Sequence, residues 1–125
     1  MPARLHSLDY IVLLCKDLPR MKAFYHETLG FPIERDWENW IEIRAGAVLL
    51  TLRPRGRPYD GPKTDPSASV QLAFRVTPSE VEAWHAELLR KEVEILEAPR
   101  DHDYGHRTLF FKDPEGNILE IYADI

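Results

Sequence analysis

The segment LDYIVLLCKDLPRMKAFYHETLGF, residues 8–31, changes its hydrophobic period in the middle. Residues 8–15 form a continuous β-prone apolar run, which predicts a strand. Apolar residues then recur at helical spacing, at Met21, Phe24, Tyr25 and Leu29. Asp17 is placed to cap the start of this helix, and Gly30 is placed to end it. The segment therefore predicts a strand that leads directly into a helix.

Three short β-prone pieces follow the helix. They read FPIERDW (31–37), NWIEIRA (39–45) and AVLLTLRP (47–54), and charged or Gly-containing turns separate them. Short strands with such turns favour an antiparallel meander. The predicted order of elements in residues 8–53 is therefore a strand, a helix and three strands (βαβββ). The next residues, 54–67, are rich in Pro and Gly, a composition typical of a linker.

The same order of elements then returns. SVQLAFRV (69–76) predicts a strand, TPSEVEAWHAELLRK (77–91) a helix, and three strands follow within 93–124. The helical stretches AFYHETL and AWHAELL align at an offset of 60 residues. The sequence thus predicts an α+β fold in one domain, 1–125, made of two tandem βαβββ modules at about 8–53 and 68–124. We expect a cupped, barrel-like mixed sheet with the helices outside.

Strand alternation predicts which side chains share a face. One set is apolar and should pack against the helix: Val70, Leu72, Phe74, Val76, Leu119, Ile121 and Ala123. The other set should face the cup between the modules: Gln71, Ala73, Arg75, Ile118, Glu120 and Tyr122. A carboxylate on such a face needs hydrogen-bond donors or a proton, which marks Glu120 as a candidate functional residue.

Composition excludes several function classes. A net charge of −5 does not favour nucleic-acid binding, which needs a concentrated basic surface. Arg53, Arg55 and Arg57 do cluster, but acidic residues follow closely, which predicts a solvated loop. The single cysteine, Cys15, lies in an apolar run and reads as a buried small hydrophobe. No stretch is long and apolar enough to span a membrane, so the sequence predicts a cytoplasmic protein.

The strand and helix at 8–31 and the closing run YGHRTLFFKDPEGNILEIY (104–122) resemble the vicinal oxygen chelate superfamily. This group contains glyoxalase I, extradiol dioxygenases, fosfomycin-resistance enzymes and bleomycin-resistance binding proteins. The resemblance implies a small-molecule site in the cup and assembly as a homodimer. Metal ligands of the family map onto Tyr10, Leu50, Gln71 and Glu120, where Leu50 comes from laying GAVLL on GNILE.

The mapped positions differ from those of the metal-dependent members, which commonly carry His where this chain has Tyr10 and Gln71. One carboxylate and one amide make a weak ligand set, because a catalytic ion normally keeps about three protein ligands. The sequence therefore favours a binding protein without a tightly held metal. The alternative is a lyase, dioxygenase or thiol transferase that holds Mn, Fe, Ni or Zn through Glu120 and Gln71.

Six residues are the candidate ligand contacts implied by this reading: Tyr10, Gln71, Arg75, His102, Glu120 and Tyr122. Glu120 is also the candidate catalytic residue, as a general base with a raised pKa. A satisfied internal network of Tyr10, Gln71 and Glu120 is an open alternative. Arg75 has two open roles, either neutralising Glu120 or an anionic ligand, or forming an ion pair at the sheet rim.

Overall fold

A computed structural model describes residues 3–62 and 69–125, and the chain divides after Pro62 into two compact units. The first unit contains β1 (Tyr10–Cys15), α1 (Leu18–Ala23), β2 (Ile33–Trp37), β3 (Trp40–Ala45) and β4 (Val48–Pro54). The second unit contains β5 (Gln71–Arg75), α2 (Pro78–Arg90), β6 (Ile95–Asp101), β7 (His106–Lys112) and β8 (Ile118–Asp124).

The two units share one topology. Each has a four-stranded sheet, in the order β1-β4-β3-β2 in the first unit and β5-β8-β7-β6 in the second. The opening strand of each unit runs parallel to its last strand, and the other pairs are antiparallel. The predicted α+β class and the repeated βαβββ order are therefore confirmed.

The first helix begins where local chemistry predicts, and its α-helical part ends at Ala23, before the predicted end at Gly30. The Asp17 carboxylate accepts a hydrogen bond from the Arg20 backbone N–H at 3.1 Å, which caps the helix start. After α1 the chain continues as a π-helical turn, Phe24–Thr28, closed by a bond from Leu29 N–H to the Phe24 carbonyl. Gly30 follows with φ of 83°, a left-handed value that glycine adopts without strain.

The second helix, α2, begins with a capping box. The Glu80 carboxylate accepts hydrogen bonds from the Thr77 backbone N–H at 2.9 Å and from its hydroxyl at 2.6 Å. Val81 and Leu88 are fully buried, and the helix packs against β6, β7 and β8. One face of the second sheet is therefore covered by α2.

Burial follows the predicted strand faces. Leu119, Ile121 and Ala123 are buried, whereas Gln71, Ala73 and Arg75 are exposed. Cys15 is buried, as its apolar run predicts. No helix within residues 3–62 and 69–125 has the length and apolarity that a membrane crossing requires.

The segment after β4 corrects one expectation. Arg53 does not belong to a solvated loop, because it is only 8% exposed and forms a two-pronged ion pair with Asp60. Its Nη1 and Nη2 donate to the Asp60 carboxylate at 2.9 and 2.6 Å. The ion pair joins Arg53, near the end of β4, to Asp60 in the following segment, which composition alone did not reveal. The rest of the predicted linker runs to residue 67, and residues 63–67 lie outside the described chain.

Candidate functional site

The candidate residues of the second unit lie on the sheet face opposite α2, which we call the helix-free face. It carries alternate residues of β5, β7 and β8, among them Gln71, Ala73, Arg75, His106, Thr108, Phe110, Ile118, Glu120 and Tyr122. The face is set by the alternation of β8, since Leu119 and Ile121 lie beneath the helix. Four of the six predicted contacts, Gln71, Arg75, Glu120 and Tyr122, therefore share one surface.

Glu120 lies near the middle of this face. It pairs with Ala73 on β5 and with Phe110 on β7. The Gln71 amide Nε2 donates to Glu120 Oε1 at 3.5 Å, beyond the 2.7–3.2 Å of an ordinary hydrogen bond. No ion pair to Glu120 occurs among the described residues. The carboxylate is half-buried and weakly satisfied, so it is available to a ligand.

The position of Glu120 depends on the turn between β7 and β8. The Asp113 carboxylate, which is buried, accepts hydrogen bonds from the backbone N–H groups of Glu115 and Asn117 at 2.9 and 3.0 Å. Its other oxygen accepts from the Asn117 side-chain amide at 2.9 Å. Gly116 adopts φ of 87°. The DPEGN motif thus fixes the entry of β8, and with it the strand that carries Glu120.

Arg75 forms an ion pair with Asp124, at the end of β8. Its guanidinium also lies 4.9 Å from the ring centroid of Tyr122, within cation–π range. The hydrogen bond and charge of Asp124 raise the pKa of Arg75. Of the two roles left open by the sequence, the structure shows the ion pair at the rim of the sheet.

His102 belongs to a row of aromatic side chains at one end of the helix-free face. Its Nε2 lies 2.7 Å from the hydroxyl of the buried Thr108, and its ring stacks on Tyr104 at 4.9 Å between centroids. Tyr104 contacts His106, which contacts Tyr122 at 4.9 Å. His102 is therefore connected to Tyr122 through two further rings.

Tyr10 lies in the first unit, at the start of β1. It is 46% exposed, and its ring makes an edge contact with Trp40 at 6.1 Å. Gln71 starts β5, so these two residues open the corresponding strands of the two units, as the repeat predicts. The Trp40 indole N–H donates to the Glu42 carboxylate at 3.0 Å.

The mapping of Leu50 onto Glu120 is wrong. Leu50 pairs with Ile11 and Ile43, is 2% exposed and belongs to the core. The register instead places Thr51 opposite Val12, as Glu120 is opposite Ala73. The cause is a difference in register, since Tyr10 pairs with Leu49, the second residue of β4, whereas Gln71 pairs with Ile118, the first residue of β8. An alignment from Gly46 and Gly116 is therefore out of phase by one residue.

Sequence reasoning also missed Phe110 and the contacts of His106, Tyr104 and Asp124. Phe110 and Phe111 are adjacent and identical, so alternation alone cannot say which one faces the helix. Register resolves this, because Phe111 pairs with the buried Leu119 and Phe110 with Glu120. The sequence could have predicted this, because aligning HRTLFFKD with NILEIYAD as an antiparallel pair gives the same register.

The sequence matches a known family over most of its length. Residues 7–121 match the profile of the Glyoxalase/Bleomycin resistance protein/Dioxygenase superfamily. The chain therefore belongs to this superfamily, which confirms the resemblance to vicinal oxygen chelate proteins.

Two relatives and one solved structure illustrate the similarity. Virulence protein STM3117 of Salmonella typhimurium is 27% identical over 118 residues, covering 91% of this chain and 81% of the relative. Metallothiol transferase FosB of Staphylococcus epidermidis is 25% identical over 119 residues, covering 94% and 83%. A glyoxalase/bleomycin resistance protein/dioxygenase from Nocardioides has a TM-score of 0.83 at 20% identity, covering 99% of this chain and 87% of that structure, which shows the shared fold.

Metallothiol transferase FosB carries a metal in its name, so we asked whether the side chains of this chain could bind a metal ion. Among residues 3–62 and 69–125, no group of three or more His, Cys, Asp or Glu side chains is arranged to hold an ion. On the helix-free face, Glu120 has Gln71 as its nearby polar partner. A carboxylate and an amide supply fewer than the roughly three protein ligands of a typical catalytic ion. These residues do not fit a tightly bound divalent metal.

Proposed function

We propose that this protein binds a small organic molecule on the helix-free face, around Glu120, and holds no tightly bound metal. The observation that supports this function is the state of Glu120, a half-buried carboxylate whose hydrogen bond to Gln71 is long at 3.5 Å. A partly desolvated charge is costly unless it gains a partner. A ligand that donates to this carboxylate supplies that partner.

The neighbouring residues have separate roles in this proposal. Glu120 and Gln71 provide the polar contacts, and Tyr122 provides an aromatic wall beside them. Arg75 holds Tyr122 through its cation–π contact, while His102 supports the far end of the aromatic row. Tyr10, from the first unit, stays a predicted ligand contact.

A second candidate function is that of a metal-dependent lyase, dioxygenase or thiol transferase. The similarity to metallothiol transferase FosB favours the last of these. In this case Glu120 and Gln71 would hold Mn, Fe, Ni or Zn, with Glu120 as the anionic ligand.

Metal titration and ligand screening together separate the two functions. The protein is purified, analysed for bound elements, and titrated by calorimetry with Mn²⁺, Fe²⁺, Ni²⁺ and Zn²⁺. We expect no stoichiometric ion. A panel of small organic molecules is then screened by thermal shift, since a ligand at 100 times its dissociation constant stabilises the protein by about 2.7 kcal/mol.

Two variants identify the site. Glu120→Gln should abolish the shift caused by a panel ligand, whereas Glu38→Gln should preserve it, because Glu38 lies in the exposed turn between β2 and β3. A stoichiometric ion that is lost in Glu120→Gln and kept in Glu38→Gln would contradict the metal-free proposal and support the second candidate.

Two broader predictions accompany the proposal. Homodimer formation and a cytoplasmic location come from the family resemblance and the sequence composition, and we propose both for this chain. Nucleic acid is not a proposed partner, because the net charge is −5. A membrane is not a proposed partner, because no stretch of the sequence is long and apolar enough to cross one.

A further inference from the structure

Several charged side chains of the helix-free face form ion pairs with residues of opposite charge. Arg75 pairs with Asp124, and Asp124 also lies 3.3 Å from the His106 ring. At the opposite end of the face Lys112 pairs with Glu94. Glu120 differs, because the described residues offer it an amide and no cation. The face therefore has an uncompensated negative charge near its centre.

An aromatic ring lies directly beside that charge. Phe110 is opposite Glu120 in the β7–β8 register, and facing residues of an antiparallel pair have Cβ atoms about 5 Å apart. Phe110 has no ring or cation contact among the described residues, and it is partly exposed. Tyr122 is different, because Arg75 and His106 already contact its ring.

The two remaining strand neighbours of Glu120 on this face have small or apolar side chains. Ala73 pairs with Glu120 on the other side, and its side chain is a single methyl group. Ile118 precedes Glu120 on the same face, two residues along β8. The carboxylate is thus bordered by the Phe110 ring, by the Gln71 amide, and by the side chains of Ala73 and Ile118.

We infer that the ligand of this face is an organic cation, an amine or ammonium compound with a flat or apolar body. Its charged nitrogen would lie between the Glu120 carboxylate and the Phe110 ring, and its body would lie along Ile118 and Tyr122. Carboxylate and aromatic ring both favour a cation, one by charge and the other by its quadrupole. This inference rests on the proposed function and specifies its ligand class.

The same arrangement disfavours anions. An anionic ligand would approach Glu120 without a compensating group, because the nearby guanidinium of Arg75 is engaged by Asp124. Uncharged ligands can contact Phe110, yet they gain nothing from the charge of Glu120. The face should therefore discriminate among ligands of one shape by their charge.

The experiment uses three probes that share a naphthalene ring: 2-naphthylmethylamine, which is protonated at pH 7, uncharged 2-naphthylmethanol, and anionic 2-naphthoate. Each is titrated into the full-length protein by calorimetry at low salt. We expect the ammonium probe to bind about tenfold or more tightly than the other two. Glu120→Gln should remove this preference, and Glu38→Gln should keep it.

Phe110→Leu tests the ring separately from the charge. It should weaken the ammonium probe about fivefold and leave the alcohol within about twofold. Tyr59→Leu is the matched control, because Tyr59 is 76% exposed in the first unit and should have no effect. Circular dichroism of each variant verifies that the fold is kept.

Two results would overturn the inference. Equal or tighter binding of the alcohol or the carboxylate would show that the face does not select cations, while the proposed small-molecule function would stand. Absence of binding by the ammonium probe would also refute the inference, and the ligand panel with Glu120→Gln would then decide the proposed function independently.

Discussion

At the scale of single residues, Asp60 organises the segment that follows β4. Its carboxylate accepts two hydrogen bonds from Arg53, and further ones from the backbone N–H groups of Gly56 and Arg57 at 2.9 and 2.8 Å. The Arg55 guanidinium donates to the Asp60 and Gly61 carbonyls. The hydrogen bonds from Arg53, Gly56 and Arg57 hold the pKa of the Asp60 carboxyl well below its usual range.

A depressed pKa has a definite consequence for stability. The carboxylate is stabilised in the folded state, so its contribution is complete above the unfolded pKa of about 4 and is lost as the pH falls below that value. Asp60→Asn should therefore lower the urea concentration at the midpoint of unfolding at pH 7. The difference from the wild type should shrink between about pH 5 and pH 2. Urea unfolding followed by circular dichroism at pH 7, 5 and 3 measures it.

Asp103→Asn is the control for this experiment. Asp103 is exposed in the turn between β6 and β7, and removing its charge should change stability by less than about 0.5 kcal/mol at any of these pH values. A constant difference between wild type and Asp60→Asn from pH 7 to pH 3 would contradict a role for the ionised carboxylate.

At the scale of the secondary-structure elements, the turn between β7 and β8 links packing to the site. Asp113 satisfies two backbone N–H groups and the amide of Asn117, which is itself only 4% exposed. Loss of a buried acceptor leaves its donors unsatisfied, and this costs about 1–3 kcal/mol. Asp113→Ala should therefore lower the free energy of unfolding by about 2 kcal/mol.

The same substitution should also change the position of Glu120, because β8 begins directly after the turn. We expect Asp113→Ala to weaken Glu120-dependent ligand binding in addition to lowering stability, as measured by urea unfolding and by the thermal shift of a panel ligand. Asp103→Ala makes the same chemical change in the neighbouring turn and should affect neither quantity. Unchanged ligand binding in a destabilised Asp113→Ala protein would show that the turn supports the core without positioning Glu120.

The sequence predicts these elements well because their signals are local. Strand alternation places Glu120 and Tyr122 on one face, and Asp17 marks the start of α1. The pairing of strands depends on residues that are far apart in the sequence, which explains why the predictions for Leu50 and Arg53 were wrong. Leu50 was assigned to the wrong face because the last strands of the two units pair with their opening strands in registers that differ by one residue. The partner of Arg53 depends on how the chain after β4 folds back.

At the scale of the whole molecule, the two units have 62 and 63 residues and repeat one topology. Domains of about 60 residues bury only about 60% of their unfolded surface, so each unit alone would be marginal. We propose that the two units unfold together as the single domain predicted from the sequence. The three tryptophans make this testable, because Trp37 and Trp40 lie in the first unit and Trp84 in the second.

Leu119→Ala provides the perturbation, since Leu119 is fully buried in the second unit and its truncation should cost about 2–5 kcal/mol. It is introduced into a Trp84→Phe protein, whose fluorescence reports on the first unit, and into a Trp37→Phe/Trp40→Phe protein, whose fluorescence reports on the second. If the units unfold together, both reporters should shift to the same lower urea midpoint. Leu89→Ala, at an exposed position of α2, should move neither. A first-unit midpoint that stays at its original value while the second-unit midpoint falls would mean that the units fold independently.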